Sequence, residues 1–270
     1  MTSDVTTPAA AFRRLHASDD ILILANAWDA GTARLVESVG AKAVATTSAG
    51  VAWSHGYPDG DRLPIRLLVA TVDGIARAVR VPVTVDVEGG YSTDLAVVGE
   101  VVAGVVDAGA VGINIEDGTD PPDLLCRKIE RAKEVAARLG VDLFVNARTD
   151  VYLRGLVPEG GRTAEVQRRA ERYRAIGADG LFVPGVAVAA EIATLADGTA
   201  LPLNVLAWPG LPGAVELGRL GVRRLSSGSG LAQALFGRAR ELASTFLREG
   251  DSDAFMIGNM TYAEINDLIT

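Results

Sequence analysis

The chain has a single cysteine, Cys126, which excludes an internal disulfide and fits a reducing compartment. It has no run of lysine and arginine. With 26 basic against 34 acidic residues the net charge is -8, so neither nucleic acid nor an anionic membrane is expected as a partner. No apolar stretch approaches membrane-spanning length, and the opening Met1-Thr2-Ser3-Asp4-Val5-Thr6-Thr7-Pro8 lacks the basic-then-apolar order of a secretory leader. A soluble cytoplasmic protein is the expectation. Also absent is a Gly-x-Gly-x-x-Gly after the first strand-like segment, where a dinucleotide-binding open sheet would carry it.

What is present is apolar and repetitive. Of 270 residues, 49% are hydrophobic and 22% charged, enough to bury the core of one large α/β domain over residues 1–270. Short β-branched or apolar segments recur at 21–25, 43–47, 83–87, 111–115, 143–147, 180–183, 203–206 and 224–227. Helical periodicity lies between them, at 30–39, 65–79, 93–108, 122–139, 163–176 and 211–220. Four helices end alike, at Val39-Gly40-Ala41, Ala108-Gly109-Ala110, Ile176-Gly177-Ala178 and Leu220-Gly221-Val222, each with glycine at the stop. Eight strands alternating with helices predict a (β/α)8 barrel after a lead-in over about 1–15. From about 230 onward the pattern predicts a helix over 231–247 and a tail over 250–270. Phe255, Met256, Ile257 and Tyr262 make that tail too apolar for free solvent exposure, and it is expected to pack on a neighbouring subunit.

A barrel enzyme carries its chemistry where the strands end, and the unusual polar residues fall there. The first segment ends Asn26-Ala27-Trp28-Asp29, the second leads into Ser48-Ala49-Gly50, and the fifth ends Asn146-Ala147-Arg148-Thr149-Asp150. The third is Val83-Thr84-Val85-Asp86-Val87-Glu88-Gly89-Gly90, with two acids on one face of a strand, and the fourth leads into Glu116-Asp117. Asp86, Glu88 and Glu116 thus converge on one rim, within reach of Asp59 from the preceding loop. Side-by-side carboxylates repel unless a cation joins them. Oxygen ligands of this kind suit Mg²⁺, and Mn²⁺ would tolerate the same site. Arg148 on the neighbouring strand is placed to grip a substrate carboxylate, and the Ser48-Ala49-Gly50 turn offers a hydroxyl and backbone N–H groups to the same anion. A small carboxylate substrate is the expected partner.

In these residues the chain resembles the phosphoenolpyruvate mutase and isocitrate lyase superfamily over most of its length. The carrying motifs are an acid after the second strand (Asp59), Asp86-Val87-Glu88-Gly89-Gly90-Tyr91 at the third, and Glu116-Asp117 at the fourth. The resemblance implies that Asp86 binds Mg²⁺ directly while Asp59, Glu88 and Glu116 hold its waters. It also implies that Ser48, Ala49, Gly50, Asp86 and Arg148 bind substrate, with Arg148, Asp59 and Glu116 as the catalytic set. A dimer or dimer of dimers is implied, the C-terminal helix crossing the interface. Members of this superfamily make or break C–C or P–C bonds beside a 2-oxo acid through a pyruvate-type enolate.

The departures narrow the expectation. The Lys-Lys/Arg-Cys-Gly-His lid of isocitrate and methylisocitrate lyases is replaced by Gly118-Thr119-Asp120-Pro121-Pro122-Asp123, and Cys126 falls in a helical segment with no Gly-His after it. The lysine and asparagine that phosphoenolpyruvate mutases and phosphonopyruvate hydrolases place in a longer lid are not visible either. Glu88 stands where aspartate is commoner. These features point to a Mg²⁺-dependent lyase of oxaloacetate decarboxylase-like or acyl-malate/citrate type. The alternatives are P–C chemistry, or a 2-oxo-acid binding protein without turnover. His16 and His55 are expected to stay outside the chemistry, and Cys126 to be a buried filler.

Overall fold

The computed structural model describes residues 7–269; residues 1–6 of the expected lead-in, and Thr270, lie outside the described residues. The strands are β1 (Leu22–Leu24), β2 (Val44–Ala45), β3 (Val83–Asp86), β4 (Gly112–Glu116), β5 (Phe144–Arg148), β6 (Gly180–Val183), β7 (Leu203–Leu206) and β8 (Val222–Ser226). The helices are α1 (Pro8–Ala17), α2 (Ala30–Ser38), α3 (Ser48–Ser54), α4 (Ile65–Ala78), α5 (Leu95–Asp107), α6 (Pro122–Arg138), α7 (Arg162–Ala175), α8 (Ala189–Gly198), α9 (Ala214–Arg219), α10 (Gly230–Glu249) and α11 (Tyr262–Ile269). All pairings are parallel, in the order β1-β8-β7-β6-β5-β4-β3-β2. The ring closes just past the ends of β1 and β2 through a bridge between Ala27 and Thr46. There Ala27 N donates to Ala45 O at 2.8 Å, and Thr47 N to Ala27 O at 3.0 Å. The chain is the (β/α)8 barrel that its alternation predicts.

The strand period of two divides the core into two parts. Outward residues such as Val85, Ile113, Ile115, Val145, Leu181, Val183 and Val205 form the large annular core with the helices. Inside the barrel, at its amino-terminal end, Leu22, Leu24, Ala43, Ala45 and Phe144 form a smaller apolar cluster with Phe12. At the other end of the helices the predicted glycine stops are real: Gly40, Gly109, Gly177 and Gly221 all have positive φ. At Gly109 a side chain is excluded twice over, by φ 106° and by Ala76 Cβ, which a Cβ would meet at 2.8 Å.

Four segments differ from the sequence reading. The lead-in is a helix, α1, capped by Thr7, whose Oγ1 accepts from Ala10 N at 3.2 Å, and started by Pro8. It plugs the barrel floor: Phe12 meets the Phe144 ring edge-on at 5.4 Å, and His16 stacks on the same ring at 4.1 Å. The Ser48-Ala49-Gly50 turn is the first turn of α3, and the helix expected over 211–220 begins only at Ala214. The tail adds α11, and α10 to α11 leave large apolar side chains in solvent, with Leu247 84% and Tyr262 87% exposed.

His16 is buried and neutral. Burial, reinforced by the charge of Arg224, pushes its ring down to about 3 from an ordinary 6.5. The unfolded chain therefore takes up a proton between those values that the folded chain refuses, and stability falls as pH drops through that window. Each pH unit is worth about 1.4 kcal/mol for one such group. His16→Phe keeps the stacking and removes the titration. Between pH 6.5 and 4.5 its stability in urea denaturation is expected to gain roughly 2 to 3 kcal/mol on the wild type; a gap independent of pH would count against a buried neutral His16.

Candidate active site

The carboxyl ends of the strands surround a cavity of about 240 Å³. One wall is polar, with Asn26, Ser48, Asp59, Asp86, Asn114, Arg148 and Ser226; the opposite wall is apolar, with Leu153, Phe182, Pro184, Leu206 and Trp208. Asp86 ends β3 and opens only to this space. Its Oδ2 accepts from Ser48 Oγ at 3.1 Å and its Oδ1 from Glu88 N at 3.2 Å. Burial raises its carboxyl pKa, against the pull of Arg148. The hydroxyl of Ser48 is thus committed to Asp86, leaving the backbone N–H groups at the start of α3, which have no partner within the helix, to face a ligand.

Glu88 serves a different purpose from the one its spacing suggested. Its backbone is left-handed, φ 52°, and its side chain curls under the preceding loop, where Oε2 accepts from Gly60 N at 2.8 Å and from Asp61 N. Asp61, φ 56°, in turn accepts from the N–H of Tyr91, φ 62°, at 3.0 Å. Among the described residues these are the only non-glycine positions with positive φ, so backbone strain collects at one clasp between the loops after β2 and β3. Burial pushes the Glu88 carboxyl up to about 7, with Asp59, Asp61 and Asp86 adding to it. Its Oε1 is buried without a partner.

Arg148 ends β5 and lies between two acids, Glu116 Oε2 at 2.6 Å and Asp150 Oδ1 at 2.7 Å, above the Phe182 ring. Burial and the neighbouring acids push the Glu116 carboxyl up, while the two carboxylates hold the guanidinium charged. Glu88 and Glu116 line a second cavity of about 210 Å³ on the far side of this ion pair, together with Asp61, Asp120 and Arg154. Asp117 borders the second cavity, but its carboxylate is fully committed, accepting from Arg169 at 2.7 Å, Tyr173 at 2.8 Å and Asp150 N at 2.9 Å. It ties α7 to the ends of β4 and β5.

The predicted set is therefore divided. Ser48, Ala49, Asp59, Asp86 and Arg148 share the first cavity, and Glu88 and Glu116 face the second. Gly50 lines neither; a Cβ there would meet Thr47 Cγ2 at 2.7 Å and Trp28 Cβ at 2.9 Å, so its smallness serves the packing of α3. His55 points outward, with Nε2 2.9 Å from Thr71 Oγ1, and Cys126 is a half-buried member of the helical layer. Among the described residues no three His, Cys, Asp or Glu side chains gather to ligate one ion. The donors present are hard oxygens, and Asp86 and Asp59 line the first cavity without an ion pair among the described residues, which fits a hard cation surrounded mostly by water.

Sequence reasoning missed Asn114, Leu153, Phe182 and Leu206. For Asn114 the signal was available: in Gly112-Ile113-Asn114-Ile115-Glu116 it shares the inward face with Glu116. The clasp has a direct test. Glu88→Ala is expected to raise amide hydrogen exchange at Gly60 and Asp61 by at least about tenfold, as expected for losing hydrogen bonds to a charged group; unchanged protection would remove Glu88 from the clasp.

The sequence and the backbone both have known relatives. An uncharacterized protein of Mycobacterium tuberculosis is 39% identical over 219 residues, 81% of each chain. Oxaloacetate decarboxylase 1 of Pseudomonas fluorescens is 27% identical over 278 residues, covering 96% of this chain and 92% of that one. Among solved structures, a candidate phosphonomutase from Burkholderia cenocepacia superposes with a TM-score of 0.83 at 38% identity, over 88% of this chain and 99% of the other. A phosphonopyruvate hydrolase complex with oxalate and Mg²⁺ superposes at 0.84 and 25% identity, over 97% and 94%. The phosphoenolpyruvate phosphomutase family model matches residues 12–247, a span that contains the whole barrel and every residue of the cavity, and the chain belongs to that family.

Proposed function

We propose that the protein is a Mg²⁺-dependent lyase that cleaves a C–C bond beside a 2-oxo or 2-hydroxy carboxylate, with decarboxylation of an oxaloacetate-like acid as the reaction to test first. The observation that carries this is Asp86, a carboxylate open only to a small cavity, with the fixed guanidinium of Arg148 in the same wall. Asp86 would hold the cation directly, with Asp59 on its waters, while Glu88 and Glu116, turned to the second cavity, would act on it only through the clasp and the Arg148 ion pair; Mn²⁺ fits the same donors. When bound, the cation supplies Lewis acidity to the 2-oxo oxygen. The N–H groups of Ser48 and Ala49 receive the carboxylate, and Ser48 Oγ holds Asp86 in one rotamer. Arg148, unable to rotate away from Glu116 and Asp150, faces the oxygen on which enolate charge develops. The apolar wall of Phe182, Pro184 and Leu206 keeps water from the leaving group, which favours loss of an uncharged fragment such as CO₂. The oxaloacetate decarboxylase similarity supports this reading.

The test is pyruvate release, with and without Mg²⁺, from oxaloacetate, alkylmalate- and citrate-type acids, and phosphonopyruvate. Metal-dependent pyruvate from a C–C substrate is expected; pyruvate from phosphonopyruvate alone would replace this reading by P–C chemistry, and tight binding without turnover by a binding function. Arg148→Ala is expected to lower kcat/KM by roughly 10²- to 10³-fold, as loss of a preorganised charge donor does, and Asp86→Ala to abolish the metal dependence with the fold intact. Wild-type kinetics in either variant would remove that residue from the mechanism.

The exposed apolar side chains of α10 and α11 support a second proposal, that they pack against another copy of the chain in a homodimer or homotetramer. Sedimentation is expected to show that assembly, and a monomer at micromolar concentration would exclude it.

A further inference from the structure

Beneath the floor of the cavity lies an arginine with no part in the proposed chemistry. Arg224, on β8, points into the barrel and is 1% exposed. Among the described residues it forms no ion pair. Its Nε donates to Ser226 Oγ at 3.3 Å and its Nη2 to Asn114 Oδ1 at 3.4 Å, while Nη1 is buried with no partner at all. Below it lies the neutral His16, whose ring feels its charge, and above it Asp86. Burial lowers its pKa only to about 9, so the guanidinium is charged at neutral pH. An isolated charge in such a place costs several kcal/mol, and apolar side chains fill this layer in other barrels. Fold stability gives no reason for it.

The charge balance of the cavity does. Arg148 is already matched by Glu116 and Asp150, and Asp59 and Asp86 add negative charge. An anionic ligand entering here meets one unpaired protein cation, Arg224, one side chain below the floor. That side chain is Asn114. Its Oδ1 accepts from Arg224 Nη2 and, at 2.9 Å, from Asn146 Nδ2, so the end turned to the cavity is the NH₂ group, a donor. Ser226 Oγ, by contrast, spends its proton on Asn204 Oδ1 at 3.1 Å. We propose that Arg224 is a positioning residue for the anionic substrate: it fixes the Asn114 amide with its donors toward the cavity, and supplies the positive charge that the paired Arg148 cannot. The proposal rests on reading the cavity as a small-carboxylate site.

The experiment is calorimetric binding, in Mg²⁺, of oxalate and of its monoanionic amide oxamate to the wild type, Arg224→Met and Arg224→Lys. Oxalate is the planar dianion that stands in for a pyruvate-type enolate. Arg224→Met is expected to weaken oxalate by about tenfold or more and oxamate by about threefold, because the lost term is a charge interaction in a low-dielectric site. Arg224→Lys keeps the charge and is expected to hold oxalate within about threefold of the wild type. Equal losses for the two ligands, or wild-type affinity in Arg224→Met, would reduce Arg224 to packing and overturn the proposal alone. Failure of the wild type to bind either ligand would overturn the carboxylate reading and this proposal with it. Should Arg224→Met not fold, Arg224→Lys decides: a tenfold loss of oxalate in a folded lysine variant overturns the charge role.

Discussion

Burial of carboxylates at the carboxyl end of the barrel is the constraint on which the site depends. An acid removed from water needs a cation or several hydrogen bonds, or it costs several kcal/mol. Asp117 has Arg169, Tyr173 and a backbone N–H, and Asp150 has Arg148 and Arg154. These two are settled, and they are structural. Asp86 has a hydroxyl and one amide, and Glu88 has two amides and an orphan oxygen. Of the acids short of partners, Asp86 faces the first cavity and Glu88 the second. That difference, rather than the number of acids, separates chemistry from scaffolding.

The same constraint explains the strained backbone. To reach Gly60 and Asp61 from the end of β3, Glu88 must leave the extended conformation, and its φ of 52° is the result. A left-handed non-glycine residue costs on the order of 1–2 kcal/mol, which two charge-assisted hydrogen bonds offset. Lys128 helps from α6 by donating to Gly89 O. The clasp carries Asp59, two residues from Asp61, to the cavity edge. An exposed turn thus acquires a fixed position without being buried.

Much of this is legible in the sequence because a barrel repeats. Strand segments, glycine stops and polar strand ends recur eight or four times over, so single ambiguous segments matter little. The four acids and Arg148 could be gathered on one rim from topology alone. Their division between two cavities could not, because Glu88 and Glu116 are turned by contacts with Gly60, Asp61 and Arg148 that no local pattern encodes. Ser48-Ala49-Gly50 read as a turn because a seven-residue helix has too little periodicity to register. Arg224 was hidden differently. Arg224 opens the strand segment predicted over 224–227, and only the register of β8, with Arg224 beside Asn204 and Leu22, places that arginine inside.

The interior polar layer also shows how one set of strands serves stability and chemistry together. Outward residues of β3 to β7 are valine, isoleucine, leucine and alanine, fully buried against the helices; the inward residues at mid-height are Thr84, Asn114, Asn146, Asn204, Arg224 and Ser226. Filling that layer with apolar side chains would add burial worth about 25 cal/mol per Å², so the polar choice forgoes stability. It yields dipoles and a charge held in place before any ligand arrives, which stabilise developing negative charge without reorganising. The annular core and the Phe12–Phe144 plug make that sacrifice tolerable, because they close the barrel from outside and below and leave the middle free to be polar.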